Sequence, residues 1–262
     1  MSRRTPRRVI ALVIVGLVGG LLSGAFGVGG GIVMVPLLIW LVGLDQRRAS
    51  ATSLVAIIPT SMAGSITYLA HGSVLPLVAL IIAVGGIAGS LVGSKLLRTL
   101  PLAWLRWLFF ALLVVVAVRL FFEVPERGTG LELTGAAIAG LVALGLVMGI
   151  ASGLFGIGGG IIMVPVLVAV FGVSDLVAKG TSLLAIIPTA LTGSIANVRA
   201  KLIGVGDGVI VGAAATVASF GGVALAFLMS KQVSAILFAV LILAVVAQLT
   251  VRAIRERRAP AA

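Results

Sequence analysis

A shift of 129 residues lays Ser23–Ile66 over Ser152–Ile195 without a gap, and 25 of the 44 paired positions carry the same amino acid. Self-similarity of this kind marks a repeat architecture, in which one structural unit is used twice. The first copy reads SGAFGVGGGIVMVPLL and then ATSLVAIIPTSMAGSI; the second reads SGLFGIGGGIIMVPVL and then GTSLLAIIPTALTGSI. Shared apolar residues would arise from packing in any two helices. Shared Gly, Pro, Ser and Thr at fixed offsets do not follow from hydropathy.

The solvent that the repeats face is set by composition. Hydrophobic residues make up 61% of the chain and charged residues 10%, with a mean hydropathy of +1.31; soluble domains hold about 45–50% apolar residues. Apolar runs near 9–25, 32–44, 49–70, 74–94, 103–122, 133–155, 161–173, 181–198, 205–229 and 232–251 reach or approach the ~20 residues that cross a hydrocarbon core as helix. The expected fold is an all-α polytopic membrane protein. Its first membrane repeat is 1–122, its linker is the acidic, Pro- and Gly-containing stretch 123–132 (EVPERGTGLE), and its second repeat is 133–262. Residues 1–25 look like a secretory signal, with a basic start and an apolar run, but the same segment recurs inside the chain, so it is read as an uncleaved helix.

Each copy opens with an apolar stretch too long for one span and interrupted by Gly27, Gly29, Gly30 and Gly31, or by Gly156, Gly158, Gly159 and Gly160. Each Gly costs a helix about 1 kcal/mol relative to Ala, so two half-helices joined by an irregular turn are expected. Non-helical backbone at membrane depth persists only where protein or a water-filled cavity satisfies it, which makes the break itself a candidate site. Each repeat is thus a glycine-broken helical hairpin plus three spans.

Charge placement tests the hairpin. With a cytoplasmic N-terminus and a hairpin returning to its own side, Arg47, Arg48, Lys95, Arg98, Arg106, Arg199, Lys201 and the basic tail all fall inside. Arg127, Lys179 and Lys231 remain outside, with Glu123, Glu126, Glu132 and Asp175. Three full spans per copy then make the two repeats face opposite ways, the inverted-repeat plan of many secondary transporters. The expected location is the cytoplasmic (inner) membrane, multi-pass, with both termini cytoplasmic.

Two constellations could carry chemistry. The glycine turns precede new half-helices containing Pro36 and Pro165, and the free N–H groups at a helix start attract anions. The flanking Gly16, Gly20, Gly24 and Gly145, Gly149, Gly153 have GxxxG spacing and are read as helix-packing residues. In the T-S-L-x-A-I-I-P-T segments, the hydroxyls of Thr52, Ser53, Thr181 and Ser182 can donate to an oxyanion, while Pro59 and Pro188 free a backbone carbonyl one turn earlier. Thr60, Thr189, Ser65 and Ser194 come next. The bland alternative is that these hydroxyls bond back to their own helices. Lys179 stands where the first copy has Ser50, and Asn197 where it has Tyr68. His71 reads as a solvated loop residue, and Trp40, Trp104 and Trp107 as interfacial anchors.

Several chemistries are disfavoured. No Cys, His/Cys cluster, Walker motif or paired carboxylate is present, which argues against an enzyme, an ATPase, a metal site or a bound cofactor. No carboxylate lies deep in a span, so carboxylate-based proton coupling is disfavoured, whereas sodium coupling through carbonyls would leave no charged signature. The formal charge of +12 sits at segment ends, a pattern for anionic lipid and not for nucleic acid.

The duplicated S-G-x-F-G-x-G-G-G-x-x-x-V-P and T-S-L-x-A-I-I-P-T-x-x-x-G-S-I blocks resemble the TauE/SafE sulfite-exporter family of membrane permeases, from about Val9 to Arg252. The resemblance implies a permease for a small anion, such as sulfite, a sulfonate or sulfoacetate. It marks Gly27, Gly29, Gly30, Gly31, Thr52, Ser53 and Pro59, with Gly156, Gly158, Gly159, Gly160, Thr181, Ser182 and Pro188, as the substrate-binding candidates. An anion channel, or a non-transporting membrane accessory subunit, is the competing reading. Oligomeric state is left open.

Overall fold

The computed structural model describes residues 5–101, 104, 105, 107, 108, 111, 132–202 and 205–258, and all regular structure among them is helical. The elements are α1 (Pro6–Phe26), α2 (Gly31–Leu41), α3 (Gln46–Ala70), α4 (Pro76–Thr99), α5 (Gly135–Phe155), α6 (Gly160–Ala169), α7 (Asp175–Arg199), α8 (Val205–Leu228) and α9 (Lys231–Arg258). Most of the expected linker, most of the third span of the first repeat, and with them Arg106, Glu123, Glu126 and Arg127 lie outside the described residues. Among the described residues six helices, α1, α3, α4, α5, α7 and α8, are long and apolar enough to cross a membrane.

The hairpin limbs are not two half-helices. α1 and α5 each have 21 residues, about 31 Å at 1.5 Å per residue, which is enough for a full span. Only the second limbs are short, at 11 residues in α2 and 10 in α6. The break itself falls at the glycine runs: α1 ends at Phe26 and α5 at Phe155, each followed by a left-handed glycine, and the limbs differ because the apolar stretch before the glycines is longer than the one after them.

Glycine determines which helices pair. A Cβ on Gly16, Gly20 or Gly24 of α1 would overlap the carbonyl oxygen of Val211, Ala215 or Ser219 in α8. In the other copy, Gly145, Gly149 and Gly153 of α5 meet Ile82, Gly86 and Ser90 of α4 in the same way. Numbers rise together along both pairs, so each copy's first helix lies parallel to the other copy's α4 or α8. Bare Cα atoms let the backbones touch, the contact that small-residue spacing permits. The packing role expected for these glycines is therefore the one they have. α4 also contributes Gly85, Gly89 and Gly93 from its own side, at the same four-residue spacing.

α3 and α7 occupy equivalent places in the two copies, and they run antiparallel. A Cβ on Gly193 would stand 3.1 Å from Leu54 Cδ1, one on Gly64 would stand 2.7 Å from Leu183 Cδ1, and Gly180 approaches Tyr68. Two further bonds fix α4 beside this pair: Leu75 N–H donates to Thr181 Oγ1 at 2.9 Å, and Arg98 donates to the Ala196 carbonyl at 3.1 Å. One end of the bundle thus collects Arg47, Arg48, Lys95, Arg98, Arg199 and Lys201 from the start of α3 and the ends of α4 and α7. Arg8 pairs with Asp207 between the starts of α1 and α8. This is the basic end; Asp175, Lys179 and His71 belong to the opposite end.

Candidate functional site

The two glycine turns lie side by side at the centre of the molecule. Gly27, Gly29 and Gly30 have φ of 69°, 76° and 78°, and Gly156, Gly158 and Gly159 have 70°, 80° and 86°. These left-handed values suit glycine, since a Cβ crowds the backbone there. A Cβ on Gly29 would stand 3.7 Å from the Gly158 Cα, one on Gly160 would stand 2.6 Å from the Val28 Cα, and one on Gly31 would stand 2.6 Å from the Ile157 Cα. The segments 27–31 and 156–160 therefore cross in opposite directions. Ile57 and Ile186, both fully buried, close over them.

Each turn is held by the hydroxyl of the other copy. Ser182 donates to the Gly27 carbonyl at 2.7 Å, and Ser53 donates to the Gly156 carbonyl at 2.6 Å and to its own Ser50 carbonyl at 2.8 Å. Gly31, the first residue of α2, lies against the Gly156 carbonyl, and Gly160, the first residue of α6, against that of Gly27. Two equivalent sites result. Each combines a glycine carbonyl, a buried serine and the start of a short helix whose N-cap, Gly30 or Gly159, offers no side-chain acceptor. Such helix starts keep N–H groups and a positive dipole end for an anion. The serine protons are engaged with carbonyls in this conformation, so the serines position the turns, and an anion would be met by backbone N–H groups.

The remaining candidates divide. Thr181 accepts from the backbone at the start of α4, so it joins elements of the two copies. Thr52 is buried where α8 approaches its carbonyl through Gly208. Thr60 and Thr189 donate to the carbonyls of Ala56 and Ala185, four residues back, and Ser65 to Met62. That is the bland alternative, and for these three it is what occurs. Pro59 packs on α8, its Cγ 2.9 Å from where a Cβ on Gly212 would stand, and the Pro188 carbonyl accepts from Thr192 at 2.8 Å.

Lys179 is no free cation: its Nζ lies 2.7 Å from Asp175 and 2.7 Å from Ser234 Oγ, with the side chain 2% exposed. Tyr68, fully buried, donates to the Gly24 carbonyl at 2.8 Å. The equivalent positions at the basic end, Ser50 and Asn197, are fully buried with the Ser50 Oγ and both Asn197 amide atoms unpartnered. Aligning the copies exposes these mismatches, but hydrogen-bond satisfaction requires coordinates.

Residues 1–120 and 141–262 match the family model described as "Sulfite exporter TauE/SafE". Over 212 residues the chain is 28% identical to the Bacillus subtilis protein named "Probable membrane transporter protein YunE", covering 72% of this chain and 77% of that protein. A second B. subtilis protein, "Probable membrane transporter protein YdhB", is 30% identical over 70% of this chain and 76% of its own length. A "Probable membrane transporter protein" of Xylella fastidiosa is 33% identical over 65% of this chain and 66% of its own. With six helices able to cross a bilayer and matches through both repeats, the chain is a multi-pass membrane protein belonging to the TauE/SafE sulfite exporter family.

Proposed function

We propose that this protein is a secondary transporter that moves a small anion, a sulfur-containing oxyanion or organosulfonate such as sulfite or sulfoacetate, across the cytoplasmic membrane. The observation that carries the reading is the crossing of the two glycine turns, each pinned by Ser53 or Ser182 of the other copy. Helix starts from both halves converge there on backbone that only glycine can supply, the side chains that bond to it, Ser53 and Ser182, are neutral, and Lys179 beside Gly27 is paired with Asp175. The repeats, 1–122 and 133–262 about the linker, are inverted with respect to one another. The antiparallel run of α3 against α7 supports this, because equivalent helices related by a two-fold axis in the membrane plane must run oppositely. Concentration of Arg and Lys at one end supports cytoplasmic termini. The buried Ile57 and Ile186 over the crossing favour a carrier, which rearranges, over an open channel.

The test is uptake of labelled sulfite, sulfoacetate and an aryl sulfonate into proteoliposomes, with and without sodium or proton gradients. Saturable uptake of one compound, diminished in Ser182→Ala while the protein stays folded, is expected. Absence of flux for all three from folded protein would remove the sulfur-anion assignment.

A further inference from the structure

We infer that the basic end holds a second anion-contact site, centred on Asn197 with Ser50, Ser94, Gln46 and Arg98, where an oxyanion docks between the membrane face and the glycine crossing. This rests on the permease reading and adds residues that neither the motifs nor the family blocks single out. The register of α3 on α7 brings the group together. Leu54 meets Gly193; one turn earlier on α3 is Ser50, and one turn later on α7 is Asn197, so the two face each other. Ser94 of α4 reaches the same place, its Oγ 3.3 Å from where a Cβ on Gly193 would stand. One turn beyond Ser94, Arg98 donates to the carbonyl of Ala196, the neighbour of Asn197.

The polar atoms there are not used by the protein itself. Asn197, Ser50 and Ser94 are 0% exposed and Gln46 is 2% exposed. Ser50 Oγ, Ser94 Oγ, Gln46 Nε2 and both amide atoms of Asn197 have no partner. Buried polar groups are nearly always satisfied, so the four such atoms of Asn197, Ser50 and Ser94, with Gln46 one turn before Ser50 on the same face of α3, call for a ligand. Their chemistry selects its sign. The hydroxyls and amide N–H groups donate and only the Asn197 Oδ1 among these atoms is solely an acceptor; the Arg98 guanidinium is adjacent, and Arg47 donates to the Leu100 carbonyl at 2.8 Å. The carboxylate nearest in sequence, Asp45, caps α3 and pairs with Arg48. Donors flanked by two guanidiniums fit an oxyanion whose several oxygens accept at once, as sulfite and sulfonates do.

The equivalent positions at the opposite end lack this character. Tyr68 replaces Asn197 and bonds to Gly24, Lys179 replaces Ser50 and is neutralised by Asp175, and Val223 replaces Ser94. The site is thus one-sided.

The experiment measures labelled sulfite uptake against concentration in proteoliposomes of wild type, Asn197→Leu and Ser94→Ala, with thermal unfolding in detergent with and without sulfite. A KM raised about ten-fold in Asn197→Leu and several-fold in Ser94→Ala is expected, with a smaller sulfite-induced rise in Tm. The ligand-free Tm should stay level or increase, because a polar group without a partner is being removed. Unchanged KM in both folded variants, with wild-type flux intact, overturns this site alone. A wild type that neither moves nor is stabilised by sulfite, sulfoacetate or an aryl sulfonate overturns the permease reading and this site with it.

Discussion

At the end where α7 begins, Tyr68 is bonded to Gly24 and its ring lies tilted against Phe227, and Lys179 is held between Asp175 and Ser234. Where α7 ends, the same positions of the repeat hold Asn197 and Ser50, with Gln46 in the place of Asp175, and their polar atoms stand unpartnered. Between these ends the two copies agree closely: the same glycines turn, and the same serines cross over. Duplication therefore preserved what the crossing requires sterically and let the ends diverge. Tyr68 and Lys179 are committed to internal bonds, while their basic-end counterparts keep theirs for a guest.

The largest expected effect tests whether the crossing really is symmetric. A Cβ on Gly156 would overlap the Ser50 carbonyl, and one on Gly27 would stand 2.5 Å from the Lys179 Cα, both at positive φ. Backbone cannot move aside as a side chain can, so Gly156→Ala and Gly27→Ala should each cost upwards of about 4 kcal/mol. Folded yield and thermal unfolding in detergent measure this. Gly43→Ala is the control: its φ is 74°, nothing lies within 4 Å, and it should cost only about 1 kcal/mol. Tolerance of alanine at Gly156 but not at Gly27 would mean that the basic end packs more loosely than its twin.

Much of this was legible before any coordinates. Spacing alone identified Gly16, Gly20 and Gly24 as packing residues, and the repeat located both turns. What could not be read was the partner of each hydroxyl. Ser53 and Thr60 are both buried hydroxyls on α3, yet Ser53 bonds across to Gly156 and Thr60 back to Ala56. The difference is helical phase, one facing α5 and the other its own turn, and only tertiary packing sets it. The continuity of α1 through its own glycines also rests on packing. Glycine propensity disfavours helix, but Gly16, Gly20 and Gly24 lie against α8, and close backbone contact outweighs about 1 kcal/mol per residue.

The end holding Tyr68 and Lys179 yields the next two effects. Removing one partner of a buried ion pair is costly because the other charge is left unpaired, and Asp175 at 24% exposed recovers part of its hydration. Lys179→Met should therefore lower stability by about 2–3 kcal/mol. The double variant Asp175→Gln with Lys179→Ser, which writes the basic-end residues into the opposite end, should recover most of that loss. If the double variant is no better than the single, the pair matters for the Ser234 contact to α9 and not for charge. Tyr68→Phe keeps the ring and deletes its bond to the Gly24 carbonyl, an expected loss of about 1–2 kcal/mol. Its transport effect should be greater when substrate is offered from that side.

The smallest effect compares the two staples directly. Ser53→Ala and Ser182→Ala each delete one cross-copy bond to a turn carbonyl, 2.6 and 2.7 Å long, and each should cost about 1 kcal/mol. Ser53 also donates to the Ser50 carbonyl, but one proton serves both acceptors, so this sharing does not double its worth. The turns lie against each other, so freeing one loosens the other. The double variant should then lose less than the sum of the singles, by an interaction energy of about 0.5 kcal/mol or more. Strict additivity in thermal or denaturant unfolding would mean that the turns are held independently. The crossing would then be two separate anchors sharing a location, and movement of one half would not be transmitted to the other through it.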